Sequence, residues 1–173
     1  IKSGVRIASG RILIFMDADG QHDPGDLKKL VQYFPEFDMV VGARPKGQQV
    51  SKVRAIGNRI YNRLASYVTN FPIQDLTSGF RAIKSDLARN LLYLLPNTYS
   101  YPTTLTLGML RSGKSVKYVK INVRSRKAGK SEIRIIKDGV RFFMIIVRIC
   151  TFYSPLKIFL PISMGLFLIG LAY

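Results

Sequence analysis

The chain has 173 residues, enough for one domain with a real core, and carries 27 Lys and Arg against 10 Asp and Glu, a formal net charge of +17. Its single cysteine rules out an internal disulfide, and no zinc-finger spacing or RNP-type aromatic motif is visible. The charge therefore points to an anionic membrane surface or to phosphorylated substrates rather than to nucleic acid.

In chain order, residues 1–10 read as the end of a helix that runs into a strand at 12–16, Ile-Leu-Ile-Phe-Met. That strand delivers Asp17 and Asp19 at its carboxyl end, followed by Gly20 and Gln21. In an open α/β sheet ligands bind at that end, and two carboxylates beside a tight turn suit a hard divalent cation able to bridge to phosphate oxygens. Asp23 is a good N-cap, Pro24 fits a first helical position, and Leu27, Leu30, Val31 and Phe34 have helical spacing over 26–34. Pro35 ends this helix, and residues 38–42 form a second strand with Arg44 at its carboxyl end. The βαβ pattern predicts an α/β fold with a parallel sheet.

Residues 45–49 are a polar loop. An amphipathic helix follows over 51–69, its apolar face read as Val53, Ile56, Ile60, Tyr61, Leu64, Ala65 and Val68. Arg59 and Arg63 stand one turn apart on it, either as a solvated basic face or as a phosphate clamp. Residues 71–82, with Asp75, Thr77, Ser78, Gly79 and Arg81, are too polar and too rich in turn residues for core. Helices are expected at 85–94, with Ser85 as N-cap, and at 99–111, then one or two strands over 116–123.

Residues 124–134 form a basic loop containing Gly129. From 135 to 153 the chain is helical and apolar, with Arg134, Lys137, Arg141 and Arg148 in one stripe, the pattern of a helix lying in a membrane interface. After the break at Ser154 and Pro155, residues 156–173 have the composition of a transmembrane helix. Basic residues beside an apolar segment place the preceding domain on the cytoplasmic face. With no initiator Met and an apolar end, the chain reads as an internal fragment. It divides into an α/β portion at 1–133, the interfacial helix at 134–154 and a truncated first transmembrane helix at 155–173.

Asp-Ala-Asp-Gly-Gln-His-Asp-Pro at 17–24, Val-Gly-Ala-Arg at 41–44, Asp-Leu-Thr-Ser-Gly-Phe-Arg at 75–81 and the basic loop at 126–131, in this order before an apolar segment, resemble the family 2 glycosyltransferases. Within them the nearest likeness is to the polyprenyl-phosphate sugar synthases. The resemblance implies a GT-A fold, a Rossmann-like mixed sheet, with its N-terminal part missing here. It further implies Mg²⁺ or Mn²⁺ held by Asp17, Asp19 and Gln21, donor contact through the Ala18 backbone, and acceptor phosphate held by Arg44 and Arg59. Donor phosphates would meet Arg126, Lys130 and Ser131 of a lid, although relatives often carry a lysine just after the lid serine, where this chain has Glu132. Asp75 would orient the donor sugar or the acceptor, and His22 would be a turn residue beside the metal.

The implied reaction is inverting transfer of a hexose from a nucleotide sugar, of GDP-mannose or UDP-glucose type, to a dolichyl or undecaprenyl phosphate. Two alternatives remain open at this point. A processive polysaccharide synthase of the same superfamily resembles a Gln-x-x-Arg-Trp pattern, and this chain has no Trp. A non-catalytic module binding anionic lipid would leave Asp17 and Asp19 without a purpose.

Overall fold

The computed structural model describes residues 1–45, 52–97, 101–124, 139–140, 143–148, 151 and 154–173, with 52–54 described by backbone alone. The elements are α1 (Lys2–Ile7), β1 (Ile12–Phe15), a 3-10 turn (Pro24–Asp26) leading into α2 (Leu27–Val31), β2 (Met39–Ala43), α3 (Lys52–Thr69), β3 (Arg81–Lys84), α4 (Ser85–Asn90), α5 (Tyr101–Arg111), β4 (Val116–Lys120) and α6 (Pro155–Ala172).

The four strands form one mixed sheet in the order β1-β3-β2-β4. β3 runs antiparallel to both neighbours, with Phe15 and Val41 each in register with Arg81, whereas β2 and β4 are parallel from Met39↔Val116 to Ala43↔Lys120. Alternation along the strands sends side chains to two faces. Leu13, Phe15, Met39, Val41 and Ile83 pack with Val5, Ala88, Leu91, Leu105 and Met109, so α1, α4 and α5 cover one face. Val40, Ala82 and Phe80 pack with Leu30 and Ile121 on the other, under α2. A third cluster joins Ala65 and Val68 of α3 to Ile73, Leu76, Leu107 and Ile146.

Four expectations are corrected. β1 and β2 share a direction but are not neighbours, because β3 lies between them. The stretch 71–82 is not excluded from the core: Asp75, Leu76, Ser78, Phe80, Arg81 and Ala82 are buried, since their polar groups find protein partners. Ile56 and Ile60 are each 59% exposed, the buried side of α3 being carried by Ala65 and Val68 with Tyr61 and Leu64 beside them. Ser85 is the first residue of α4 rather than its cap, which is Lys84.

Of the interfacial helix expected at 134–154, residues 139–140, 143–148 and 151 are helical, and Ile146 is buried. Arg134, Lys137 and Arg141 of its basic stripe lie outside the described residues. α6 is long and apolar enough to cross a membrane by length and composition, and none of its 18 residues is buried.

Candidate active site

The acidic turn is built by local hydrogen bonds and by one long-range docking. Gly20 adopts φ 74°, a conformation that favours glycine, and lets the chain turn sharply enough for the Gln21 amide to donate to Asp19 Oδ1 at 3.1 Å. Beyond the turn, Asp23 Oδ1 accepts from the Gly25 amide at 2.9 Å, capping the 3-10 turn as the sequence predicts. The segment is fastened to the end of the sheet: the Arg124 amide donates to the Gln21 carbonyl at 2.9 Å, His22 bridges to Val123, and Arg124 pairs with Asp23. The Gln21 side chain donates to the Arg124 carbonyl at 3.4 Å. His22 stacks on Phe80 at 5.0 Å between ring centroids. Burial lowers its pKa despite the opposing pull of Asp17 and Asp19, which keeps the ring neutral at pH 7.

A second constellation lies at the end of β2. Arg44 grips Asp75 through one edge of its guanidinium, Nε to Oδ2 at 2.7 Å and Nη2 to Oδ1 at 2.8 Å, while Nη2 also donates to Thr77 Oγ1 at 2.6 Å. The backbone amides of Arg44 and Thr77 complete the shell around the carboxylate, each at 3.2 Å. Burial by itself raises the Asp75 pKa, but the hydrogen bonds and charge of Arg44 outweigh it and hold the carboxyl below its ordinary value. The same bonds raise Arg44 against the opposing effect of its own burial.

The loop between these constellations is held from beneath. Asn62 of α3 donates to the Gln74 carbonyl and accepts from the Leu76 amide, and Ser78 Oγ donates to the Gly42 carbonyl at 2.6 Å. Arg81, fully buried, donates to the Ser78 and Pro102 carbonyls and to Thr106 Oγ1, which ties the loop to α5. Tyr101 donates its hydroxyl to the Gly79 carbonyl at 3.0 Å, and burial pushes that hydroxyl's pKa up to about 12. Gly79 itself lies against Asp17: a Cβ there would stand 2.4 Å from Asp17 Oδ2. The glycine leaves the carboxylate its space.

Asp17, Ala18, Asp19 and Gln21 therefore share one turn at the carboxyl end of β1, and the 75–79 loop connects that turn to Arg44. Arg59 stands on the exposed side of α3 near Arg63, and among the described residues no ion pair joins either to this cluster. Arg126, Lys130 and Ser131 lie outside the described residues. Thr77, Gly79, Arg81 and Tyr101 have structural roles here that sequence reasoning missed. Thr77, Gly79 and Arg81 carried a signal as members of the 75–81 motif, and Arg81 also as an arginine inside an otherwise apolar Phe-x-Ala-Ile run.

The donor set at the turn fits a hard cation shared with a ligand. Among the described residues no group of three or more His, Cys, Asp or Glu could hold a metal alone, and none donates a hydrogen bond to the exposed Asp17 carboxylate. Two carboxylates with the remaining positions left to phosphate oxygens and water is the usual arrangement for Mg²⁺-type ions.

Comparison with known proteins agrees with this architecture. An undecaprenyl-phosphate mannosyltransferase of Micrococcus luteus is 29% identical over 131 residues, 70% of this chain and 53% of the relative. A polyprenol monophosphomannose synthase of Mycolicibacterium smegmatis is 27% identical over 129 residues, 70% of this chain and 49% of the relative. The chain thus spans about half the length of the curated relatives it matches. A crystal structure of glucosyl-3-phosphoglycerate synthase from Mycobacterium tuberculosis with Mn²⁺, UDP-glucose and phosphoglyceric acid superposes with a TM-score of 0.66 at 17% identity, covering 86% of this chain and 53% of that one. At that identity the likeness shows the fold, an α/β domain of GT-A type with a mixed sheet. The family profile described as Glycosyl transferase family 2 matches residues 1–92, more than half of the chain, and the chain belongs to that family.

Proposed function

We propose that this protein transfers a hexose, with inversion, from a nucleotide sugar to a polyprenyl phosphate at the cytoplasmic face of a membrane. The observation that carries the reading is the juxtaposition at one sheet edge of the exposed Asp17 carboxylate, with Asp19 in the same turn, and an arginine fork, Arg44. Relatives named for polyprenyl-phosphate mannosyl transfer support the acceptor class, and the neighbours' Mn²⁺ and UDP-glucose support the donor class. The sugar is a hexose of GDP-mannose or UDP-glucose type. α6 and the basic residues ahead of it support the membrane and its face.

Asp17 and Asp19, with Gln21, would hold Mg²⁺ or Mn²⁺, and Ala18 would meet the donor through its backbone. When bound, such an ion would supply Lewis-acid stabilisation of the leaving diphosphate. Arg44 and Arg59 hold the acceptor phosphate, while Arg126, Lys130 and Ser131 serve the donor phosphates. A terminal monophosphate has its second pKa at about 6, so the nucleophile is largely ionised at neutral pH and no strong base is required. Asp75 suits that requirement: both of its oxygens accept from Arg44 and its pKa is lowered, so it orients Arg44 instead of taking a proton.

The test supplies the protein in membranes with labelled UDP- and GDP-sugars, polyprenyl phosphate and Mn²⁺, beside an Asp19→Asn variant. Label entering an organic-soluble, acid-labile lipid only with metal and intact Asp19 supports the reading and names the sugar. Label in polymer, or transfer from no donor, overturns it.

A further inference from the structure

α3 does not present the surface of an ordinary amphipathic helix. Its buried side is carried by Ala65 and Val68, with Asn62 reaching the loop below. Its outward side carries Ile56, Arg59, Ile60, Arg63 and Tyr67, all exposed, at helical spacing. Ile56 and Ile60 are each 59% exposed and Tyr67 is 56% exposed. A water-facing stripe of this kind is normally charged throughout, whereas here large apolar side chains are interleaved with arginines.

The stripe is continuous with the apolar helix at the chain's end. Lys157, in the first turn of α6, donates from Nζ to the Tyr67 carbonyl at 2.8 Å, the Val68 carbonyl at 3.2 Å and Asn70 Oδ1 at 2.6 Å, and stands 5.3 Å from the centroid of the Tyr67 ring. These bonds occupy carbonyls at the C-terminal end of α3, where a cation is favoured. Ile158 beside it packs against the cluster that contains Ala65 and Val68. Phe143 and Met144, which flank the same cluster through Ile145 and Ile146, are exposed as well.

We propose that the outward stripe of α3 is a bilayer-contact face that rests on anionic lipid, with Ile56, Ile60 and Tyr67 at the acyl boundary and Arg63 among head-group phosphates, and that Lys157 is the latch fixing its depth. The argument for lipid is charge complementarity together with continuity into α6, and it rests on the reading that α6 lies in the membrane. The stripe then holds the sheet edge near the plane in which a lipid-linked phosphate lies.

The chain has no tryptophan of its own, so single Trp substitutions report directly. Ile60→Trp, Leu168→Trp in α6 and Tyr93→Trp, at an exposed site beyond α4, are compared in the full chain reconstituted in phosphatidylglycerol vesicles, with acyl-brominated lipid or aqueous acrylamide as quencher. The expected result is bromolipid quenching at positions 60 and 168 several-fold stronger than at 93, with acrylamide quenching only 93 strongly. Lys157→Met is expected to reduce bromolipid quenching at 60 and leave that at 168 unchanged. Quenching at 168 without quenching at 60 overturns the stripe while leaving the membrane helix intact. Quenching at neither overturns both. Protection of 60 from both quenchers, dependent on protein concentration, assigns the stripe to a second copy of the chain and likewise overturns the proposal.

Discussion

Asp75 and Asp17 are the same residue type on neighbouring loops, and the fold treats them in opposite ways. Asp75 is 5% exposed and saturated by its own protein: two donors from the Arg44 guanidinium, two backbone amides and the Thr77 hydroxyl. Asp17 is exposed, receives no hydrogen bond among the described residues, and is kept clear by a glycine. A buried carboxylate that is neutralised internally is part of the scaffold, because its charge is spent on holding Arg44 and the 75–79 loop. An open carboxylate keeps its charge for a ligand. The comparison predicts that stability and ligand binding respond separately at the two sites.

The largest effect on stability is expected from Asp75→Ala, which leaves the Arg44 guanidinium without its carboxylate. Chemical denaturation is expected to show a loss of about 3 kcal/mol. An unchanged midpoint would mean that the pair is not the scaffold described. Gly79→Ala comes next, at no more than about 1 kcal/mol, because the new Cβ must push aside the end of the exposed Asp17 side chain. This variant joins the two sites, so metal-dependent nucleotide binding, read by calorimetry with Mn²⁺ and a nucleoside diphosphate, is expected to fall with it.

Thr77→Val removes one acceptor of Arg44 Nη2 and is expected to cost about 1 kcal/mol by the same denaturation measurement. Asp17→Asn is expected to change stability by less than about 0.5 kcal/mol while abolishing the Mn²⁺-dependent part of nucleotide binding. Comparable losses of stability from Asp17→Asn and Asp75→Ala would dissolve the distinction.

pH sharpens the same contrast. The Asp75 pKa is lowered in the folded state, so the pair's contribution is fully present above the ordinary aspartate value of 3.8 and is lost as pH falls from there through the lowered value. The melting-temperature gap between the parent and Asp75→Asn is therefore expected to stay constant from pH 7 down to about 4 and to close only below it. A gap closing between pH 6 and 5 would place the carboxyl above its ordinary value and contradict the pairing.

Much of the site was legible because its signals are local. The Asp17 to Asp23 turn follows from Gly20, the Asx bond of Asp19 and the cap at Asp23, all set by residues within a few positions. The segment 71–82 was misread because its polarity is resolved only by distant partners. Arg81 can be buried at the centre of a sheet only when Pro102 and Thr106 of α5 supply acceptors, and Asp75 only when Arg44 is delivered by β2. Periodicity places Ile56 and Ile60 on the core side of α3, but it cannot tell which apolar positions the tertiary packing will cover.

By itself, the sequence determined the strand-turn-helix around Asp17 and Asp19, the order of the motifs, the family likeness and the apolar helix at the end, because spacing and turn chemistry act over a few residues. Tertiary structure alone decided the insertion of β3 between β1 and β2, the pairing of Arg44 with Asp75, the clearance at Gly79 and the hydrogen bonds of Lys157 to the end of α3. Each of these depends on groups far apart in the chain finding a complementary charge, donor or volume, and such complementarity exists only once the sheet has brought them together.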